Sequence, residues 1–154
     1  AGGWLLAASV MRGPHRSKLV TVGRIILGIT AIFYGVEHFL HPLHCPGVPL
    51  AKIMPAYIPA RPLIGIVTGA ILVIAGTAIL LNKKTRAAAS WLGTWIVLLV
   101  VFVYGPILIM QLLDPSMMAQ VEGINYFADT LLFAAAILAL AVATPEAGKS
   151  PQAS

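Results

Sequence analysis

Few residues in this 154-residue chain can bind a ligand or move a proton, and most fall in one stretch. Glu37 and His38 are adjacent, with His41, His44 and Cys45 close behind. Further along come Tyr104 and then Asn125, Tyr126 and Asp129. A carboxylate beside an imidazole can relay protons, which makes Glu37, His38 and Asp129 the candidate relay. Imidazole, phenol, amide and guanidinium groups donate hydrogen bonds to carbonyl or headgroup oxygens. His38, Tyr104, Asn125, Tyr126 and Arg24 are therefore candidate contacts for a quinone head or a lipid. Glu37, His38, Tyr104, Asn125 and Asp129 also read as a purely structural polar cluster, in which His38 pairs with Asp129 or Glu37.

The run His38-x-x-His41-x-x-His44-Cys45 offers ligand types suited to zinc or copper. Pro42 interrupts it, so the three histidines need not converge, and no matching set occurs elsewhere. The one other histidine is His15, so no second apolar segment supplies an axial haem ligand. With Cys45 the single cysteine, an internal disulfide, a redox Cys pair and a cysteine-ligated iron–sulfur cluster are excluded within this sequence. No intrinsic metal or cofactor is expected; bound lipid is.

Four apolar stretches must position these residues: 19–40, 62–81, 87–113 and 123–143. Each has roughly the 20 residues a helix needs to cross a ~30 Å hydrocarbon layer. The expected fold is an all-α, transmembrane four-helix bundle occupying 19–143. It is preceded by a basic, interfacial segment over 1–18, anchored by Trp4, and followed by a disordered tail over 144–154. The chain is 59% hydrophobic and only 10% charged, against about 25% charged in a typical soluble domain. A separate aqueous catalytic domain is not expected.

The net charge of +5 does not point to nucleic acid, because of where the charges sit. Arg12, Arg16 and Lys18 precede the first stretch, and Lys83, Lys84 and Arg86 fill the turn after the second. Positive-inside bias places both clusters, and with four spans both termini, in the cytoplasm. Lys52 and Arg61, in the first loop, count against this orientation. Arg24 lies far enough into the first span for its side chain to snorkel to the headgroups. Trp91 and Trp95 suit an aromatic belt.

Gly28 and Gly35 share a face of the first helix, and the second contains Gly65-x-x-x-Gly69 and Gly76. Small residues at this spacing let helices approach closely, within the chain or in a dimer. Pro106 predicts a kink in the third span. The loop over 41–61 holds Pro42, Pro46, Pro49, Pro55 and Pro59, which predict a stiff, ordered cap, and its apolar residues Val48, Leu50, Ile53, Met54, Tyr57 and Ile58 place that cap on the outer membrane surface.

The pattern Gly35-x-x-His38-Phe39-x-x-Pro42, then Pro55-x-x-Ile58-Pro59 and Gly69, resembles the DoxX-like group of four-helix membrane proteins. Arg24 and Pro106 also fit, and the resemblance covers roughly 22–111. Where that family's second span often carries an acid after its glycine, this chain has Ala70 and Ile71. The resemblance implies a quinone-linked redox setting in the inner membrane of a prokaryote, since relatives include a subunit of thiosulfate:quinone oxidoreductase. The leading expectation is an accessory subunit of a larger membrane oxidoreductase or electron-transfer complex, without autonomous catalytic activity. The alternatives are a quinone-binding, proton-relaying redox subunit and a small transporter. Expected partners are membrane lipid and other subunits, not nucleic acid.

Overall fold

The structure, a computed structural model, describes residues 14–48 and 52–144. The interfacial segment anchored by Trp4 and the expected disordered tail lie outside the described residues, apart from their inner edges. The described chain forms five α-helices: α1 (Pro14–Leu40), α2 (Arg61–Leu80), α3 (Thr85–Leu99), α4 (Gly105–Leu112) and α5 (Met117–Ala143). A five-residue π segment, Val100–Tyr104, joins α3 to α4 without a break. The result is four helical spans: Ser17–Leu40, Arg61–Leu80, Thr85–Leu112 and Met117–Ala143. All are long and apolar enough to cross a membrane, so the molecule is a multi-pass, all-α membrane protein. One end of the bundle carries the 41–60 loop and the 113–116 turn. The other carries the tight turn at 81–84.

The fourth helix begins at Met117, six positions before the expected 123. Hydropathy marks where a helix leaves hydrocarbon, not where it ends. Met117, Met118, Ala119 and Gln120 are good helix formers, and the start is set by Ser116, whose N–H donates to Asp114 Oδ1 at 2.8 Å.

Helices α1 and α2 cross through paired glycines. A Cβ on Gly35 would come within 2.8 Å of the Gly69 carbonyl oxygen, and one on Gly69 within 2.9 Å of that of Gly35. Gly28 and Gly76 meet the same way, each hypothetical Cβ lying 3.1 Å from the other's carbonyl oxygen. The small-residue faces thus pack within the chain. Arg24 reinforces this pair, donating from Nη1 to the carbonyls of Ile79 and Leu80, both at 2.7 Å. Both belong to the last turn of α2, where carbonyls lack the usual i+4 donor; Ile79 O also accepts from the Asn82 N–H at 3.1 Å. Arg24 therefore caps a neighbouring helix instead of snorkelling to headgroups.

The irregularity announced by Pro106 takes the form of the π segment. Proline cannot donate to the carbonyl four residues back, and its ring collides with that carbonyl. A wider turn before it relieves the conflict, and the Gly105 N–H reaches back to Val100 O. Val103 and Tyr104, on this segment, are both buried. Trp91 is exposed, as a belt residue should be. Trp95 is not in that belt: its Nε1–H donates to Thr68 Oγ1 at 3.1 Å, inside the bundle.

Candidate functional site

The loop between α1 and α2 folds inward. Its two arms pair through Cys45 N–H to Lys52 O at 2.8 Å and Met54 N–H to Leu43 O at 2.9 Å. Cys45, Pro46, Gly47, Met54 and Ile58 are buried, whereas Ile53 and Tyr57 are exposed. A Cβ on Gly47 would lie 3.4 Å from Thr130 Cγ2, 3.7 Å from Ile96 Cδ1 and 3.8 Å from Leu99 Cδ1. Ile96, Leu99 and Thr130 stand near the middle of their spans. Half of the expected surface cap is therefore a re-entrant plug. Gly47 turns at φ +107°, a conformation L side chains rarely adopt.

Non-helical backbone at this depth must be satisfied by protein, because lipid offers no hydrogen bonds. One peptide group carries the problem, the bond between Pro46 and Gly47. Its N–H donates to His38 Nε2 at 2.8 Å. Its carbonyl accepts from the Tyr104 hydroxyl at 2.8 Å. A backbone N–H can only donate, so Nε2 is unprotonated. Nδ1 then carries the proton and donates to Tyr34 O at 2.5 Å. His38 is a neutral imidazole with both nitrogens engaged, and it is 3% exposed.

The expected five-residue polar cluster is thus divided. His38 and Tyr104 meet through the loop peptide. Asn125 and Asp129 point away from it, on the exposed face of α5. Thr130, next to Asp129, is the residue that faces inward. Successive helix residues are about 100° apart, and here the register turns Thr130 inward and leaves Asp129 exposed. The His38 pairing with Asp129 or Glu37 is not formed, and among the described residues the one salt bridge is Lys52–Glu122. Glu37, His38, His41, His44 and Cys45 line a pocket of about 10 Å³, enough for roughly one water. His41 and His44 stack, with ring centroids 4.8 Å apart and planes at 12°. Among the described residues no three His, Cys, Asp or Glu side chains are arranged to hold a metal ion. Burial pushes the Cys45 thiol up to about 11, despite the opposing pull of Lys52. A thiol that keeps its proton is a poor nucleophile and a poor ligand.

A second polar centre was not anticipated. Glu122 accepts from Lys52 Nζ at 2.7 Å, from Gln111 Nε2 at 2.9 Å and from the Tyr126 hydroxyl at 2.6 Å. Lys52 also lies 5.4 Å from the centroid of the Tyr126 ring. The i, i+4 spacing of Glu122 and Tyr126 was visible in the sequence, but a loop assigned over 114–122 concealed it. Beside this centre, Lys52, Pro55, Tyr57, Ile107, Met110, Gln111 and Asp114 line a cleft of about 220 Å³. Tyr126 is therefore engaged by Glu122 and Lys52.

The fold and site together define a multi-pass helical membrane protein with a re-entrant loop clamped by a histidine and a tyrosine. Comparison with family models, curated proteins and solved structures finds no match to this chain.

Proposed function

We propose that the chain is a DoxX-like accessory subunit of a larger quinone-linked membrane oxidoreductase or electron-transfer complex. It sits in the inner membrane of a prokaryote, with both termini in the cytoplasm. The carrying observation is the clamped Pro46–Gly47 peptide. The histidine and tyrosine best suited to a quinone carbonyl hold the chain's own backbone, so this region works as a scaffold. The residues behind the resemblance serve the same seat. Gly35 and Gly69 form the helix crossing, a Cβ on Gly65 would strike the Pro42 carbonyl oxygen, and Ile58 is buried under the loop. The protein's work would be packing and the shaping of a lipid or quinone path.

The orientation gains support from the loop-end cations. Lys52 is paired with Glu122, and Arg61 donates to Met54 O at 3.0 Å. Their charges are committed within the fold, while Lys83 and Lys84 are exposed at the other end.

Native mass spectrometry after extraction in mild detergent tests the reading. Stoichiometric recovery with a redox complex is the expected result. Recovery free of any other protein overturns it.

The 220 Å³ cleft favours one alternative, in which the chain itself binds a quinone. An aromatic head could lie on Ile107 and Met110, with Lys52, Tyr57 and Gln111 supplying polar contacts. Co-purified quinone that is lost in a Met110→Trp variant would favour this alternative. Its relay version, through Glu37, His38 and Asp129, predicts impaired quinone reduction in a His38→Ala, Asp129→Asn variant. Unchanged reduction in the assembled variant rejects it.

A further inference from the structure

Asn125 and Asp129 lie one turn apart on α5, both exposed. Among the described residues neither has a hydrogen-bond or ion-pair partner. Asp129 stands near the middle of the Met117–Ala143 span. In an isolated chain its carboxyl group would face hydrocarbon. Ionisable side chains at such depth are costly, and in membrane proteins they almost always face protein or a water-filled cavity.

The surface around them is patterned. Val121, Asn125, Ala128, Leu132 and Ala135 follow one another at alternating steps of four and three residues, and Val142 continues the series one heptad beyond Ala135. That alternation is the seam of a left-handed helix pair. Val121, Leu132 and Val142 are 50%, 67% and 84% exposed, so this chain does not cover them. The inward face of α5 is a different set, Gly123, Thr130, Ala134, Ile137, Leu140 and Ala141. Small residues at Ala128 and Ala135 permit close approach of a second backbone.

We propose that this face of α5 binds the same face of a second copy of the chain, forming a two-fold symmetric dimer within the membrane. The face carries its own complement. Asn125 supplies amide N–H donors, and Asp129 supplies acceptors one turn below. In an isologous pair each Asp129 reaches the other copy's Asn125, and the reverse contact follows by symmetry. A cationic helix from another protein would satisfy Asp129 alone. A second copy also satisfies Asn125 and matches the four–three stripe. The dimer does not depend on membership of a redox complex.

Disulfide cross-linking of the full chain in native membranes tests this. On a Cys45→Ser background, Ala128→Cys and Leu132→Cys should each give an oxidised dimer. Ile74→Cys, equally outward-facing on α2 at 71% exposure, should not. As a check independent of cysteine replacement, energy transfer between copies carrying terminal fluorophores should fall on dilution with lipid. The Asn125→Leu, Asp129→Leu variant should weaken that association roughly three- to tenfold. Equal cross-linking at position 74, no dimer through 128 or 132, capture of a different protein there, or unchanged association in the double variant would each overturn the proposal.

Discussion

His38 and Tyr104 on one side, and Asn125 and Asp129 on the other, are polar residues of apolar helices with opposite fates. The first pair is buried, and both members are consumed by one peptide group of the re-entrant loop. The second pair is exposed, with no hydrogen-bond or ion-pair partner among the described residues. In water the difference would mean little, since an exposed carboxylate is simply hydrated. In hydrocarbon every polar atom needs a protein or ligand partner. The inner pair thus explains how the loop is held, and the outer pair marks the face at which we propose a second copy binds.

Replacing His38 by leucine should be the most damaging change. It removes the acceptor of a buried N–H and leaves the Tyr34 carbonyl without its side-chain donor. The Tyr34 carbonyl keeps its helical N–H donor, so the buried group left unsatisfied is the Gly47 N–H, at a cost of about 1–3 kcal/mol. A lowered midpoint of unfolding in mixed micelles, with new protease cleavage in the 41–60 loop, is the expected outcome. Wild-type stability would mean that the loop is not held by this ring.

Cys45 reports on the same plug by its chemistry. Its pKa is raised by burial from 9.0 to about 11. At pH 8 the folded chain should hold roughly a hundredfold less thiolate than the unfolded one, and alkylation should slow at least that much. The folded state binds this proton more tightly than the unfolded state. The associated stability is therefore complete below pH 9 and lost as the pH rises through about 11. Rapid labelling of the native protein at pH 8 would place Cys45 in water.

Tyr104→Phe should cost less, about 1 kcal/mol. It removes one hydroxyl and leaves the packed ring in place. Because His38 and Tyr104 hold opposite ends of one peptide, their losses should not add. Once either end is released, the loop can withdraw and the second substitution costs little. A double-mutant cycle on unfolding midpoints measures that coupling. Additive effects would argue against a shared clamp.

The four spans were legible in the sequence because length and hydropathy suffice to specify a helix in lipid. His38 and Tyr104 were also legible as important, since polar groups in apolar runs are rare. Their role was not, because it depends on a loop peptide brought to them by the chain's return. Prolines at 42, 46, 55 and 59 announced an ordered loop without showing that Pro46 and Gly47 turn inward. Asp129 was misplaced for a different reason. Depth along a helix can be counted, but facing depends on register, and one residue separates buried Thr130 from exposed Asp129. Arg24 was read by its depth alone, and the carbonyls at the end of α2 that it caps came from another span.

The smallest effect should come from Asp129→Leu on the stability of the monomer. The side chain is exposed and, among the described residues, has no hydrogen-bond or ion-pair partner. Its removal leaves no internal group unsatisfied. In detergent, at concentrations too low for association, the unfolding midpoint should change by less than about 0.5 kcal/mol. The result divides the two polar pairs more sharply than any large effect could. A substantial loss in the monomer would mean that Asp129 turns inward and belongs with His38 after all. A negligible change in the monomer, with a clear loss of association in lipid, would locate the work of this carboxylate between chains.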